Sequence, residues 1–294
     1  MERLLQLLPF GPCVYSNLGG RDLGVVRIAG PGVGNMLFPW ARALLASRAL
    51  GIPMLSPTWP QLKIGSLLRS ERDTRFYLRT FISRPDEITG FNRLLRLLLQ
   101  HRVPESRHAQ ITRTAPVIRS FHGLGNFFHD LEHGRDIIVR EILGILSPRL
   151  TEGLGASQGT PDLGVHIRMG DFSRNTVIET YDGRTNSTIP MDWYRAQIER
   201  FGTRDGRRAI VFSDGKDEEL SDILSLPGVV RAEERSAIED ILALSRAEML
   251  ITSHSTFGYW SVFLGNGKAV SHPAVNLERY FSPAFCEARF VEAA

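Results

Sequence analysis

A histidine, an arginine and an aspartate stand close together in the run His166-Ile167-Arg168-Met169-Gly170-Asp171-Phe172, directly after the apolar Leu163-Gly164-Val165. An apolar run that ends in polar side chains predicts a buried parallel strand delivering them at its carboxyl end. In an open α/β sheet that edge is where ligands bind. Arg168 suits an anion, because its planar fork can hold a phosphate through two parallel hydrogen bonds. The plainer reading is an Arg–Asp pair that closes a strand end. Three further stretches bear on the choice.

The first is Gly30-Pro31-Gly32-Val33-Gly34-Asn35, which follows a predicted strand over 24–29 and leads into a predicted helix from Met36. Glycines let backbone approach a ligand, and a helix start offers N–H groups to an anion. Gly32, Gly34 and Asn35 are therefore candidate ligand contacts, although the turn is neither a Walker loop nor a full dinucleotide fingerprint. Pro39 is expected in the first turn of that helix. The second stretch is the strand 208–212 with Ser213 and Asp214 at its end. The third is the strand 248–252, which runs through Ser253-His254 into Ser255 and Thr256 at another helix start. Asp214 and Asp240 are acids able to take ribose hydroxyls or base N–H groups. Each signal is weak alone; together they indicate a nucleotide or nucleotide-sugar held between two α/β domains.

The elements that must position these residues alternate strand and helix. After residue 161 the pattern predicts strands at 163–168, 208–214, 229–230 and 248–252. Helices are expected from Met191 and over 236–245, the latter opened by a capping box of Ser236 and Glu239. Before it, Gly51 ends the first helix, Gly51–Leu55 reads as the next strand, and 136–150 as a helix ending at Pro148. Thr151–Pro161, rich in Gly, Ser and Thr, is the expected linker, dividing the chain into domains 1–155 and 156–294. Residues 58–135 carry a basic run, and Arg93–Gln100 predicts a basic amphipathic helix. The ordinary form of such a helix is an apolar core face with a charged back; the alternative is contact with a membrane surface or a lipid-linked acceptor.

Composition bounds the function. The 294 residues are 43% hydrophobic and 23% charged, ordinary values for a globular chain. Arginine supplies nearly all the basic residues, yet the net charge is only +3, too small a surplus to argue for nucleic acid. Cys13 and Cys286 form no disulfide framework or zinc spacing, and a reducing cytoplasmic setting is expected. The leading residues lack the pattern of a secretory signal, and no run is long enough to span a bilayer.

The chain resembles a known family. Gly30–Phe38 is similar to the opening Gly-Gly-Leu-Gly-Asn-Gln-Met-Phe stretch of the bacterial α-1,2-fucosyltransferases, glycosyltransferase family 11. His166–Phe172 resembles their His-x-Arg-Arg-Gly-Asp-Tyr motif, shared with α-1,6- and O-fucosyltransferases. Phe212-Ser213-Asp214 resembles their Phe-Ser-Asp strand end, and Asp240–Ser245 with Ser253–Trp260 resembles their closing block. The matches keep the family's order over residues 28–265. The resemblance implies a GT-B fold of two facing Rossmann-like α/β domains with a cleft between them. It also implies inverting transfer from GDP-fucose to a hydroxyl of a glycan acceptor, with no cofactor or metal. Arg168 would then bind the diphosphate, and His166, Asp214 and Asp240 would contact the donor. Ser255, Thr256, Gly32, Gly34 and Asn35 would complete the phosphate site. An inverting transfer also wants a base; Asp171 is the first candidate, Glu179 and Asp182 the alternatives.

Three positions depart from the family pattern: Met169 stands where the second arginine would be, Phe172 replaces tyrosine, and Gly30-Pro31-Gly32 replaces a plainer glycine pair. Arg174 or Arg184 could supply the missing cation. The expected linkage is α-1,2, in surface polysaccharide or O-antigen synthesis, on an acceptor that could be lipid-linked, with peripheral contact at the inner membrane surface and no nucleic-acid partner. The alternatives are a GT-B transferase using another nucleotide sugar and a non-catalytic nucleotide- or glycan-binding protein.

Overall fold

Two five-stranded parallel sheets organise the chain, each within its own compact unit. One unit is formed by the described residues up to Thr151, the other by those from Glu152 onward. The computed structural model describes residues 10–63, 76–156, 161–169, 188–202, 208–233 and 235–293.

In the first unit the strands are β1 (Cys13–Asn17), β2 (Arg21–Asp22), β3 (Arg27–Ile28), β4 (Met54–Leu55), β5 (Gln61–Leu62), β6 (Glu87–Ile88), β7 (Arg102–Pro104) and β8 (Ile118–His122). The main sheet has the order β6-β4-β1-β8-β7, and β2, β3 and β5 form a small sheet of their own. Helices α1 (Val33–Leu50), α2 (Gly90–Leu99) and α3 (Arg135–Glu141) belong to the same unit, and α4 (Pro148–Ala156) carries the chain across the division at Thr151. The helix after the glycine turn starts at Val33, three residues before the expected Met36, so Gly34 and Asn35 lie in its first turn; Gly32 is the N-cap and Gly51 ends α1 in the left-handed conformation. α1 is buried on most sides: Met36, Leu37, Phe38 and Trp40 are all inaccessible.

Several expectations for this unit fail. The first core strand is β1, not 24–29, because Arg27 points inward and is fully buried while Val25 is 63% exposed. Arg27 donates to the carbonyls of Thr58 at 2.6 Å, Gly19 at 3.0 Å, Leu18 and Trp59 at 3.3 Å, and approaches Met36 Sδ at 2.9 Å. It is a strut, and it ties β3 to the loops on either side of α1. Gly30 must be glycine here: its φ is +131°, and a Cβ would lie 2.7 Å from Gln61 Oε1 and 2.9 Å from Arg27 Nη1. Pro39 lies inside α1, not in its first turn. There it removes one i→i−4 bond, and its ring is buried among the surrounding apolar side chains. Pro148 starts a helix instead of ending one, as its fixed φ and missing N–H allow at a first position, so 151–156 is helical where a linker was expected. The helix expected over 136–150 is α3 followed by a 3₁₀ turn at Ile142–Ile145.

The second unit follows the predicted pattern closely. Its strands are β9 (Leu163–Ile167), β10 (Ala209–Ser213), β11 (Val229–Arg231), β12 (Met249–Thr252) and β13 (Lys268–Ser271), in the order β11-β10-β9-β12-β13. Its helices are α5 (Met191–Phe201), α6 (Ser221–Leu224), α7 (Ala237–Leu244), α8 (Thr256–Leu264) and α9 (Pro283–Arg289). The capping box is formed: the Glu239 carboxylate accepts the Ser236 N–H at 2.8 Å. β13 and α9 carry no expectation from the sequence reading. β9 is buried along its whole length, as a central strand covered on both faces must be. Phe212, Leu244, Leu250, Val262 and Ala269 form the core on one face. The chain runs outward from β9 to β10 and β11, then crosses to β12 and β13. The carboxyl ends of β9 and β12 therefore flank a topological switch point.

Removing the strut should cost more than a surface substitution does. Arg27→Ala leaves a set of buried acceptors without their donor and opens a cavity, and is expected to destabilise the fold by about 3 kcal/mol. Urea unfolding of the two proteins checks it through the shift in midpoint.

Candidate functional site

At the switch point the backbone ladder sets the spacing. His166 pairs with Phe212 on one side and Thr252 on the other, so the residues that follow β9, β10 and β12 emerge at one edge. Arg168, Asp214 and Ser253 are those residues.

Asp214 joins two of these strand ends. One carboxylate oxygen is ion-paired with Arg168 Nη1, and the other accepts the Met169 backbone N–H at 2.8 Å. The side chains of Arg168 and Asp214 remain 23% and 32% accessible, so the pair is fixed yet open to a ligand. The corner that carries Asp214 is itself braced. Arg231, at the end of β11, donates to the Gly215 carbonyl at 2.6 Å and the Ser213 carbonyl at 3.1 Å, and is ion-paired with Asp217. Met169 has a structural place: a Cβ on Gly215 would lie 2.8 Å from its Cγ. Its side chain covers that glycine.

His166 is held from three sides. Its Nδ1 is 2.8 Å from Ser253 Oγ, its carbonyl accepts the Ser253 N–H at 3.1 Å, and its ring stacks on Phe257 at 4.7 Å and 14°. Gly258 permits this fit, since a Cβ there would meet Thr252 Oγ1 at 2.0 Å and His166 Nδ1 at 3.1 Å. Burial pushes the imidazole down to about 3; Asp214 opposes the shift and Arg168 adds to it. The ring is thus neutral at neutral pH and acts as a hydrogen-bonding group, not as a cation.

Ser255 is the N-cap of α8, its hydroxyl accepting from Gly258 N at 3.3 Å, and Thr256 opens the helix. The first N–H groups of α8 thus face the edge that carries Arg168, the arrangement that suits an anion. Asp240 sits half-buried in the first turn of α7, also at the carboxyl edge of this sheet. The structure so gathers His166, Arg168, Asp214, Asp240, Ser255 and Thr256 in the second unit. Gly32, Gly34 and Asn35 belong to the first unit, at the start of α1. Asp171, Glu179, Asp182, Arg174 and Arg184 lie outside the described residues. Ser253, Phe257 and Arg231 have structural parts in the site that the sequence reading missed. Ser253 and Phe257 stood within a motif already quoted, whereas Arg231 carried no local signal. Among the described residues there is no group of His, Cys, Asp and Glu that could hold a metal.

Comparison with known proteins gives a family and a fold. The sequence profile of glycosyl transferase family 11 matches residues 120–284. Among solved structures the chain is similar to a point variant of Arabidopsis thaliana FUT1 in complex with GDP, with a TM-score of 0.51 and 13% identity over 93% of this chain and 75% of that one. It is also similar to the fucosyltransferase NodZ from Bradyrhizobium, with a TM-score of 0.50 and 12% identity over 92% of this chain and 97% of that one. At these identities the likeness is one of fold. No curated protein matches the sequence.

The buried neutral His166 makes stability depend on pH in one direction. Its folded value lies below that of the unfolded chain, so the unfolded state gains a proton near pH 6.5 and the native state only near 3. Stability from this group is complete above pH 6.5 and falls below it, by up to about 1.4 kcal/mol per pH unit. Urea midpoints between pH 7.5 and 4.5 should fall less steeply in His166→Gln, which cannot take the proton.

Proposed function

The chain belongs to glycosyl transferase family 11, whose profile covers more than half of it, and from that premise we propose that it moves fucose from GDP-fucose to a hydroxyl of a glycan. It is a glycosyltransferase. The observation that carries the donor reading is Arg168, clamped by Asp214 at the switch point of a parallel sheet beside the α8 helix start. A nucleoside diphosphate leaving group gains negative charge as the glycosidic bond breaks. A fixed guanidinium and helix N–H groups stabilise that charge without having to reorganise.

In this reading Arg168 and the Ser255–Thr256 helix start hold the diphosphate. His166, neutral and oriented by Ser253 and Phe257, meets the nucleoside, and Asp240 takes its hydroxyls or base N–H groups. Asp214 serves the donor through Arg168, because both its oxygens are already engaged. Gly32, Gly34 and Asn35, at the start of α1, are the first unit's candidates for donor contact, and the fold is of GT-B type. Asp171 removes the acceptor proton. The linkage is α-1,2, the product belongs to a bacterial surface glycan such as an O-antigen, and the reaction runs in the cytoplasm. That setting is supported by two cysteines that are both free thiols.

Two measurements test this. Calorimetric titration in EDTA should show GDP binding more tightly than UDP or ADP, with Arg168→Ala weakening it about tenfold to a hundredfold, the worth of a lost charge-assisted bond. Tighter UDP or ADP binding would leave the fold and move the donor to another nucleotide sugar; no binding would favour a non-catalytic protein. In transfer assays, Asp171→Asn should lower turnover about a hundredfold or more while leaving GDP affinity unchanged. Wild-type turnover in that variant would remove Asp171 as the base.

A further inference from the structure

Helix α2 has its polarity reversed. Arg93 and Arg96 are 7% and 9% exposed, whereas Phe91 and Leu98 are 77% and 80% exposed. The arginines face the sheet because backbone carbonyls await them there. Arg93 donates to the carbonyls of Ser56 and Gly24, and Arg96 to that of Gly11 at 2.9 Å. Leu97 is the inward apolar residue of this turn, packed with Cys13, Tyr15, Leu55 and Ile118. With 93, 96 and 97 fixed inward, the spacing of 91, 95 and 98 at i, i+4 and i+7 puts Phe91, Leu98 and, half-buried between them, Leu95 on one outward stripe.

The turn between β2 and β3 lies against the flank of α2. Gly24 lies against α2, its carbonyl bound by Arg93 and its Cβ position 3.2 Å from Leu94 Cδ2. Beside it, Leu23 and Val25 are 50% and 63% exposed. Exposed large apolar side chains gathered on one helix face and the turn beside it mark an interaction site. Its charge selects the partner. From Ile88 to Pro104 there is no acidic residue, and His101 and Arg102, just past the end of α2, are both exposed, Arg102 while donating to the Leu97 carbonyl at 2.7 Å. Asp22, beside Leu23, is tied inward by the Tyr15 hydroxyl and the Gly24 N–H. A second copy of the chain would set this basic rim against its like, whereas anionic headgroups would complement it. No described helix is long and apolar enough to cross a membrane.

We propose that the outward face of α2 (Phe91, Leu95 and Leu98), with Leu23 and Val25 beside it, docks the enzyme on an anionic lipid surface. The large side chains enter the interface, and His101 and Arg102 meet the headgroups. This attachment is independent of which nucleotide the second unit binds.

Co-sedimentation of the full chain with vesicles tests it, comparing phosphatidylglycerol mixed with phosphatidylcholine against phosphatidylcholine alone. The wild type should bind the anionic vesicles at least about tenfold better, and Phe91→Glu and Leu98→Glu should each lower that binding about tenfold or more. Both positions are exposed, so unchanged urea midpoints should show intact folds. No binding by the wild type, equal binding to both vesicles, or full binding by both variants would overturn the proposal. A wild-type dimer that Leu98→Glu converts to monomer, without vesicle binding, would assign the face to a second copy instead.

Discussion

The carboxylate of Asp214 is the constraint on which the second unit's site depends. One oxygen fixes a guanidinium and the other fixes the peptide N–H of the next residue, so it determines both where the Arg168 side chain points and how the chain leaves β9. A partly exposed ion pair contributes little to stability. Its value here is positional, since it presents a cation at the strand edge before any ligand arrives. Arg231 holds the corner on which Asp214 stands, and through it β11 braces the exit of β10. His166 completes the arrangement in the opposite way. Burial removes its charge, so among the described residues of this strand end the cation is the arginine.

Arginine has a second use in this chain. Arg27, Arg42, Arg84, Arg93, Arg96 and Arg119 are all buried, and most of them donate to loop carbonyls. Lysine could not replace them, because a point charge cannot bridge several carbonyls in one plane. Part of the arginine surplus that would suggest a basic nucleic-acid surface therefore goes into the interior of the first unit. The same habit reverses α2 and β3, where guanidinium groups turn inward and apolar side chains are left facing out.

This reversal explains why the two units differ in how well they read from sequence. In the second, Leu163–Ile167, Ala209–Ser213 and Met249–Thr252 are buried strands whose apolar runs announce them, and Ser236 with Glu239 marks a helix start by its own chemistry. In the first, β1 is a five-residue strand of Cys, Val, Tyr, Ser and Asn with little apolar signal. The more obvious apolar run, 24–26, lies on an exposed turn. Periodicity assumes that apolar residues face in and charged ones out; Arg27, Arg93 and Arg96 break that assumption because partners distant in sequence bind them. Hydrogen bonds from Arg27 to Thr58 or from Arg96 to Gly11 leave no local trace. For the site, residue types at strand ends were legible, while the second layer formed by Ser253, Phe257 and Arg231 needed the fold.

Met169 shows what the departure from the family motif means physically. A side chain laid over Gly215, whose Cβ position is 2.8 Å from its Cγ, is packed at the β10 corner, and its backbone N–H is already used by Asp214. The position is therefore built into the clamp, and a long apolar side chain fills it without adding a second charge beside Arg168. Two adjacent guanidinium groups would repel each other in the absence of an anion, and Asp214 offers only one oxygen to a side chain while the other holds the backbone. With a single arginine here, that one oxygen is enough to orient the cation. In the proposed donor site Arg168 and the α8 helix start are the described groups that would meet the diphosphate, a fixed cation and a helix dipole of the kind that stabilise a departing anion where it forms.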